Sequence, residues 1–274
     1  RMCTGVVVAS VVSDVANRKL KFVSNKYGEH RLPVAMLDFI ARVASYNMIP
    51  PGAVLKMILN VPEIFKSFDK IELFHQSETS YLKNFRITPS RKLVLDSLAK
   101  NGPQTSAQIA ANTGVGSGVI KGLLACDVIQ KQFVEDNFTP QSLGALDENL
   151  IKLNDEQARA AKSLINVTRE NKFSVSLIDG VTGSGKTEVY FEVIAEVLRK
   201  GLQILILVPE IALARPFIER FSKRFGAAPV EWHSELPTKK RRRIWRAILE
   251  GNVNVLVGAR SALFLPFSNL GLLV

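Results

Sequence analysis

The stretch "SLIDGVTGSGKTEVYFEV", residues 176–193, decides how this chain is read. An apolar run, "SVSLI", leads into a glycine-rich turn, and the turn opens onto "TEVYFEVIAEVLRK", whose apolar residues recur at helical spacing. Between the two, Gly180, Val181, Thr182, Gly183, Ser184, Gly185, Lys186 and Thr187 fit the pattern G-x-x-x-x-G-K-[ST]. The glycines let the backbone wrap closely, so its N–H groups and the helix N-terminus can hold a phosphate. The Lys186 ammonium then neutralises the outer phosphate oxygens, and the Thr187 hydroxyl is the expected ligand of Mg²⁺. A glycine-rich turn without a ligand is the alternative. The strand–loop–helix setting argues against it, so ATP with Mg²⁺ is the expected cofactor.

Splitting a nucleotide also takes an acid at the end of a neighbouring strand, where it holds the metal shell and orients water. Asp179 stands one residue before the loop, Glu188 lies on the helix after it, and Glu210 ends the next apolar run. None of them follows an apolar strand in an Asp-Glu pair. The closing residues "NLGLLV" read as one more buried strand, and the acid that would follow it is not in the sequence.

Around the loop, "KFSVSLID", "LQILILVP", "APVEWH" and "VNVLVGA" alternate with helical stretches. Short, continuous apolar runs suit parallel strands buried on both faces, joined by right-handed crossovers. Upstream, "GVVVASVVSDVANRKLKFVS" reads as strands with a polar turn. Leu37, Ile40, Ala41 and Ala44 predict a helix that stops before Pro50-Pro51-Gly52, with a second from Ala53 to Leu59. The segment "NVPEIFKSFDKIELFHQSETS" has mixed signals and is taken as a linker. Over residues 87–138, three helical segments broken at Asn101-Gly102-Pro103 and at Gly114–Gly118 precede an alternating "IQKQFVED". That order predicts a winged helix, with a small helical linker domain as the alternative. The third helix carries only Lys121 as a charge toward a groove, which weakens the case for DNA contact. The expected fold is multidomain α/β.

Composition limits the partners. The 274 residues are 47% hydrophobic and 22% charged, ordinary for a globular protein, and no apolar run approaches a membrane span. No signal peptide is visible, and the two cysteines, Cys3 and Cys126, suggest neither a disulfide framework nor a zinc site. A cytoplasmic location is therefore expected. The formal charge of +11 favours a polyanionic partner, nucleic acid before membrane, with a basic protein lacking such a partner as the alternative. The chain opens on Arg1 rather than Met, from which a fragment is expected.

The run "DGVTGSGKTEVY", followed in order by "LVPEIAL", "HSEL" and "GARSALF", resembles the primosomal protein N′ (PriA) family, the replication-restart DNA helicases of bacteria. The resemblance is close over residues 153–274 and weaker upstream. It implies three parts: residues 1–78 as a partial DNA-binding β/α domain for 3′ strand ends with its linker, 79–140 as the winged helix, and 141–274 as the first part of a RecA-like helicase lobe. By the same resemblance Gln157 in "LNDEQ" reads the adenine. Pro209 and Glu210, with Gly258, Arg260 and Ser261, would hold the sugar-phosphate backbone of the tracked strand. Unaided, these positions would pass for a surface glutamine and ordinary α/β loops. The family's D-E-x-H acid motif, its cysteine-rich zinc-binding insertion and its second lobe do not occur in these residues, so zinc is expected only in that further part of the family.

The resemblance further implies an ATP-dependent 3′-to-5′ helicase acting at stalled forks. Its partners would be branched DNA, single-strand/duplex junctions, primosome proteins and single-strand-binding protein, with no membrane. This chain is expected to bind ATP and DNA without unwinding. The alternatives are another superfamily 2 translocase such as a RecG-like motor, a P-loop small-molecule kinase, and a non-catalytic DNA-binding remnant. Two local features stay open at this level. The basic turns of "TKKRRRIWRAILEG" fit a phosphate-facing patch or a solvated face, and His233 reads as a packing residue at a strand end.

Overall fold

A computed structural model describes residues 5–7, 23, 26–27, 31–62, 64–77, 86–144, 146, 151–170, 172–209 and 214–274. The helices are α1 (Val34–Tyr46), α2 (Pro51–Ile58), α3 (Pro89–Asn101), α4 (Ser106–Thr113), α5 (Ser117–Ala125), α6 (Asp155–Arg169), α7 (Lys186–Arg199), α8 (Arg215–Phe225) and α9 (Thr238–Leu249). The strands are β1 (Lys70–Gln76), β2 (Ile129–Glu135), β3 (Gln203–Leu207), β4 (Val230–Trp232), β5 (Val255–Gly258) and β6 (Leu270–Leu273), with a 3₁₀ helix at Arg260–Phe264. They fall into two compact units, Lys66–Asn137 and the remainder. The N-terminal strands expected before residue 24 lie almost wholly outside the described residues.

In the unit Lys66–Asn137, β1 and β2 pair antiparallel from Lys70 opposite Glu135 to Gln76 opposite Ile129. Thr88 caps α3 ahead of Pro89, and Thr105 and Gln108 form a reciprocal capping box on α4. Gly114, at φ 69°, ends α4 in the left-handed region, where a side chain would be strained. Phe74, Val94, Leu98, Ile109, Ile120, Leu123 and Ile129 make the core. The helices stand where the sequence predicts them. The expected linker does not: "KIELFHQ" is β1, because β2 supplies a complete ladder for it and Phe74 is buried in the core beneath.

In the other unit the sheet runs β4-β5-β3-β6, and all three pairings are parallel. Successive strand residues point to opposite faces. Leu205 and Leu256 accordingly join a core built from α1, α2 and α9, while Ile204, Ile206, Val255 and Val257 join one built from α7 and α8. Helices on both faces explain why β5, and β3 after Gln203, are apolar throughout. By contrast, β4 keeps the exposed Glu231, and the edge strand β6, expected to be buried, is largely exposed. One expected strand is missing. Residues 173–181 form no strand, and Phe173, Val175 and Leu177 are 95%, 85% and 91% exposed. Their strand-like pattern is real, but among the described residues no neighbouring strand takes their N–H and C=O groups.

The basic run matches the two sequence readings only in part: Lys239 and Lys240 are exposed, but residues further along are not. Arg242 and Arg246 are buried, and Arg246 donates to the Ile64 carbonyl at 3.2 Å. Trp245, also buried, donates its indole N–H to the Ile58 carbonyl at 3.0 Å and meets Phe65 edge-on. Part of the run therefore closes the chain ends left after α2, which need donors once the helix terminates. Long side chains with buried stems can do this where a short apolar residue cannot.

Candidate functional site

The glycine-rich turn sits at the N-terminus of α7. Gly183 and Gly185 have φ of 83° and 81°, left-handed conformations that glycine adopts without strain. Ser184 N–H bonds back to Val181 and Glu188 N–H to Gly185. Among the described residues, no backbone acceptor takes the N–H groups of Gly183, Gly185, Lys186 or Thr187. A methyl group at Gly180 would lie 2.8 Å from Ser184 Oγ, so a side chain there would turn the Ser184 hydroxyl out of its place. Ser184 Oγ is itself buried and has no hydrogen-bond partner. Unclaimed amides at a helix start beside an unpaired hydroxyl suit an anion with several acceptor oxygens.

Two side chains complete the hollow. Lys186 Nζ donates to the carbonyls of Gly180 at 2.5 Å and Val181 at 3.0 Å, which holds the ammonium across the loop. Thr187 Oγ1 accepts from the Tyr190 hydroxyl at 3.3 Å and keeps its own proton and a lone pair. These are the groups that would meet a triphosphate and its Mg²⁺, and their chemistry fits both. Of the nearby acids, Asp179 is exposed. Glu188 is buried and ion-paired to Arg220, so its carboxylate is already committed.

Gln157 is placed at this loop. Its Nε2 donates to the Ser184 carbonyl at 2.9 Å, and its Oε1 accepts from Asn154 N–H at 3.0 Å as half of the α6 capping box. The sequence pattern did not indicate this tie; the Asn154-x-x-Gln157 spacing of a capping box was the available signal.

The expected strand-binding residues lie apart from the loop, after β3 and β5. Pro209 is exposed two residues beyond β3, and Glu210 lies outside the described residues. Gly258 is buried at the end of β5, where a Cβ would stand 2.8 Å from that of Ala262 and 3.0 Å from the Trp232 carbonyl. It is a close-packing position. Arg260 and Ser261 open the 3₁₀ helix and are both exposed. His233, just past β4, is partly buried, as expected of a packing residue.

Among the described residues, no helix is long and apolar enough to cross a membrane, and no group of three acidic, histidine or cysteine residues is placed to hold a metal. Comparison with known proteins matches residues 154–274 to the DEAD/DEAH box helicase family. A protein named replication restart protein PriA from Rickettsia conorii is 37% identical over 210 residues, which is 74% of this chain and 30% of that protein. Its namesake from Rickettsia typhi is 47% identical over 136 residues, 46% of this chain and 21% of the relative. The one from Chlamydia muridarum is 29% identical over 279 residues, 96% of this chain and 36% of the relative. The chain thus spans between about a fifth and about a third of the length of these curated relatives.

Proposed function

This chain belongs to the PriA family of replication restart proteins, and from that premise we propose that it forms the nucleotide-gripping part of an ATP-dependent 3′-to-5′ DNA helicase that acts at stalled forks. The observation that carries the reading is the turn before α7, with its unclaimed amides, the bare Gly180 and the orphaned Ser184 hydroxyl. ATP would lie with its outer phosphates on the amides of Gly183 to Thr187. Lys186 would exchange two carbonyl partners for phosphate oxygens, a stronger, charge-assisted bond. Thr187 would ligand Mg²⁺. Gln157, already fixed to the loop, has one amide hydrogen left with which to approach the adenine edge. Bound ATP would supply the free energy of translocation.

Pro209, Glu210, Arg260 and Ser261 are the proposed hold on the DNA backbone, with Gly258 shaping the turn behind them. The charge of +11 supports a polyanion there. The three helices and the two-stranded antiparallel sheet of residues 66–137 support a winged-helix assignment, although α5 offers only Lys121 to a groove. In the cell the partners would be branched DNA, primosome proteins and single-strand-binding protein, in the cytoplasm, with zinc held outside these residues.

These 274 residues contain no D-E-x-H run, and Glu188 is tied to Arg220. A polypeptide of this sequence is therefore expected to bind nucleotide and DNA without unwinding a duplex. Forked-DNA binding, followed by fluorescence anisotropy across a salt series, tests the reading. A steep linear fall of log affinity with log salt, with little sequence preference, is expected from backbone contacts. A flat salt response would contradict it.

A further inference from the structure

Between α2 and the 3₁₀ helix runs a groove of about 360 Å³, lined by Lys56, Met57, Asn60, Ser261 and Phe264. Its two walls come from parts of the chain about 200 residues apart, and each wall is anchored from behind. Val54 and Ile58 fix α2 at 0% and 1% exposure, leaving Lys56 and Met57 turned outward. Phe264 packs on Phe39 with ring centroids 5.8 Å apart. Asn60 Oδ1 accepts from Arg241 at 3.3 Å, and the Arg241 guanidinium lies 5.2 Å above the Trp232 ring. The Asn60 carbonyl oxygen is therefore held by a cation, which leaves the amide NH₂ as its available donor.

The lining thus combines an ammonium, an amide and a hydroxyl with two apolar side chains, and no carboxylate. Such a wall attracts an anion that also carries a flat or apolar body. We propose that this groove receives one nucleotide unit of single-stranded DNA. Its phosphate lies against Lys56 and the Ser261 hydroxyl, and its sugar or base lies against Met57 and Phe264. The volume falls within the range of small-ligand sites, and neither wall offers a pattern of groups that would distinguish one base from another. The proposal rests on the reading that Arg260 and Ser261 hold the tracked strand, and it extends that strand's path onto α2.

The test uses the 274-residue chain and a fluorescein-labelled thymidine 15-mer, followed by anisotropy. Lys56→Glu combined with Met57→Ala is expected to weaken binding about tenfold, and Lys56→Ala alone to lower the salt slope by about 1. Lys162→Glu, on exposed α6, makes the same change in net charge and is expected to cost less than about twofold. An equal loss from Lys56→Glu and Lys162→Glu would overturn the groove. Arg260→Ala separates the layers: if it weakens binding while the Lys56 variants do not, the groove fails alone, and if neither weakens it, the strand-binding reading fails too. Amine-reactive footprinting of the unaltered chain removes any dependence on variant folding. Saturating oligonucleotide is expected to protect Lys56 from acetylation, and unchanged labelling there would overturn the proposal.

Discussion

The side-chain nitrogen of Gln157 donates to the Ser184 carbonyl at 2.9 Å while its oxygen accepts from Asn154 N–H at 3.0 Å. One amide thus joins the start of α6 to the crown of the phosphate loop. Removing it loosens both. Gln157→Ala should cost about 1 kcal/mol of stability, the usual worth of a cap or a single hydrogen bond. Nucleotide affinity should fall more than that stability loss explains, because a loop no longer held must be ordered on binding. Gln157→Glu keeps the capping acceptor but faces the Ser184 carbonyl with a carboxylate, so it should weaken nucleotide binding further. Denaturant titration and nucleotide titration of the two variants check the order.

Where α6 meets α7, Arg169 donates to Glu196 at 2.9 Å. That hydrogen bond, opposed by partial burial and reinforced by the charges of Arg169, Arg199 and Lys200, holds the Glu196 carboxyl below the usual carboxylate range. A carboxyl depressed in the folded state stabilises the fold above its unfolded value, and that stabilisation is lost as pH falls through the lowered value. Arg169→Gln should raise the Glu196 titration midpoint toward that of a free glutamate and make the acid side of the stability profile less steep. Site-resolved NMR titration of Glu196 reads the shift directly.

Residues 173–181 have a strand's composition and no partner strand among the described residues. Unpaired amides exchange with solvent at rates near those of an open chain. Hydrogen–deuterium exchange should therefore label residues 174–180 within the first time points, while Ile204 and Leu205, paired on both sides, stay protected. Slow exchange over 174–180 would show that the segment is paired in solution.

The phosphate loop could be read from the sequence because it is local: glycine spacing, Lys186 and Thr187 determine it without any distant contact. The parallel strands were legible for a similar reason, since burial on both faces leaves a continuous apolar run in β3 and β5. What sequence missed depends on long-range partners. The "SVSLI" run could be recognised as strand-forming, but whether a ladder forms depends on a neighbour that no local pattern reveals. "KIELFHQ" was taken for linker because its pairing partners in β2 lie 53 to 65 residues further on. The basic turns of α9 looked like either a patch or a solvated face. Arg246 and Trp245 instead bind carbonyls of Ile64 and Ile58, a partnership across more than 180 residues. The groove at Lys56 and Ser261 was out of reach on the same ground.

The phosphate grip is measured most directly by isothermal titration of ATP with Mg²⁺ into the 274-residue chain and into Lys186→Ala. The Lys186 ammonium bonds only exposed carbonyls of the loop, so its removal should leave the fold intact. Saturable binding to the unaltered chain is expected, with at least about a tenfold loss in the variant, the worth of one charge-assisted contact or more. Undiminished binding by a folded Lys186→Ala chain, or none by the unaltered one, would contradict it.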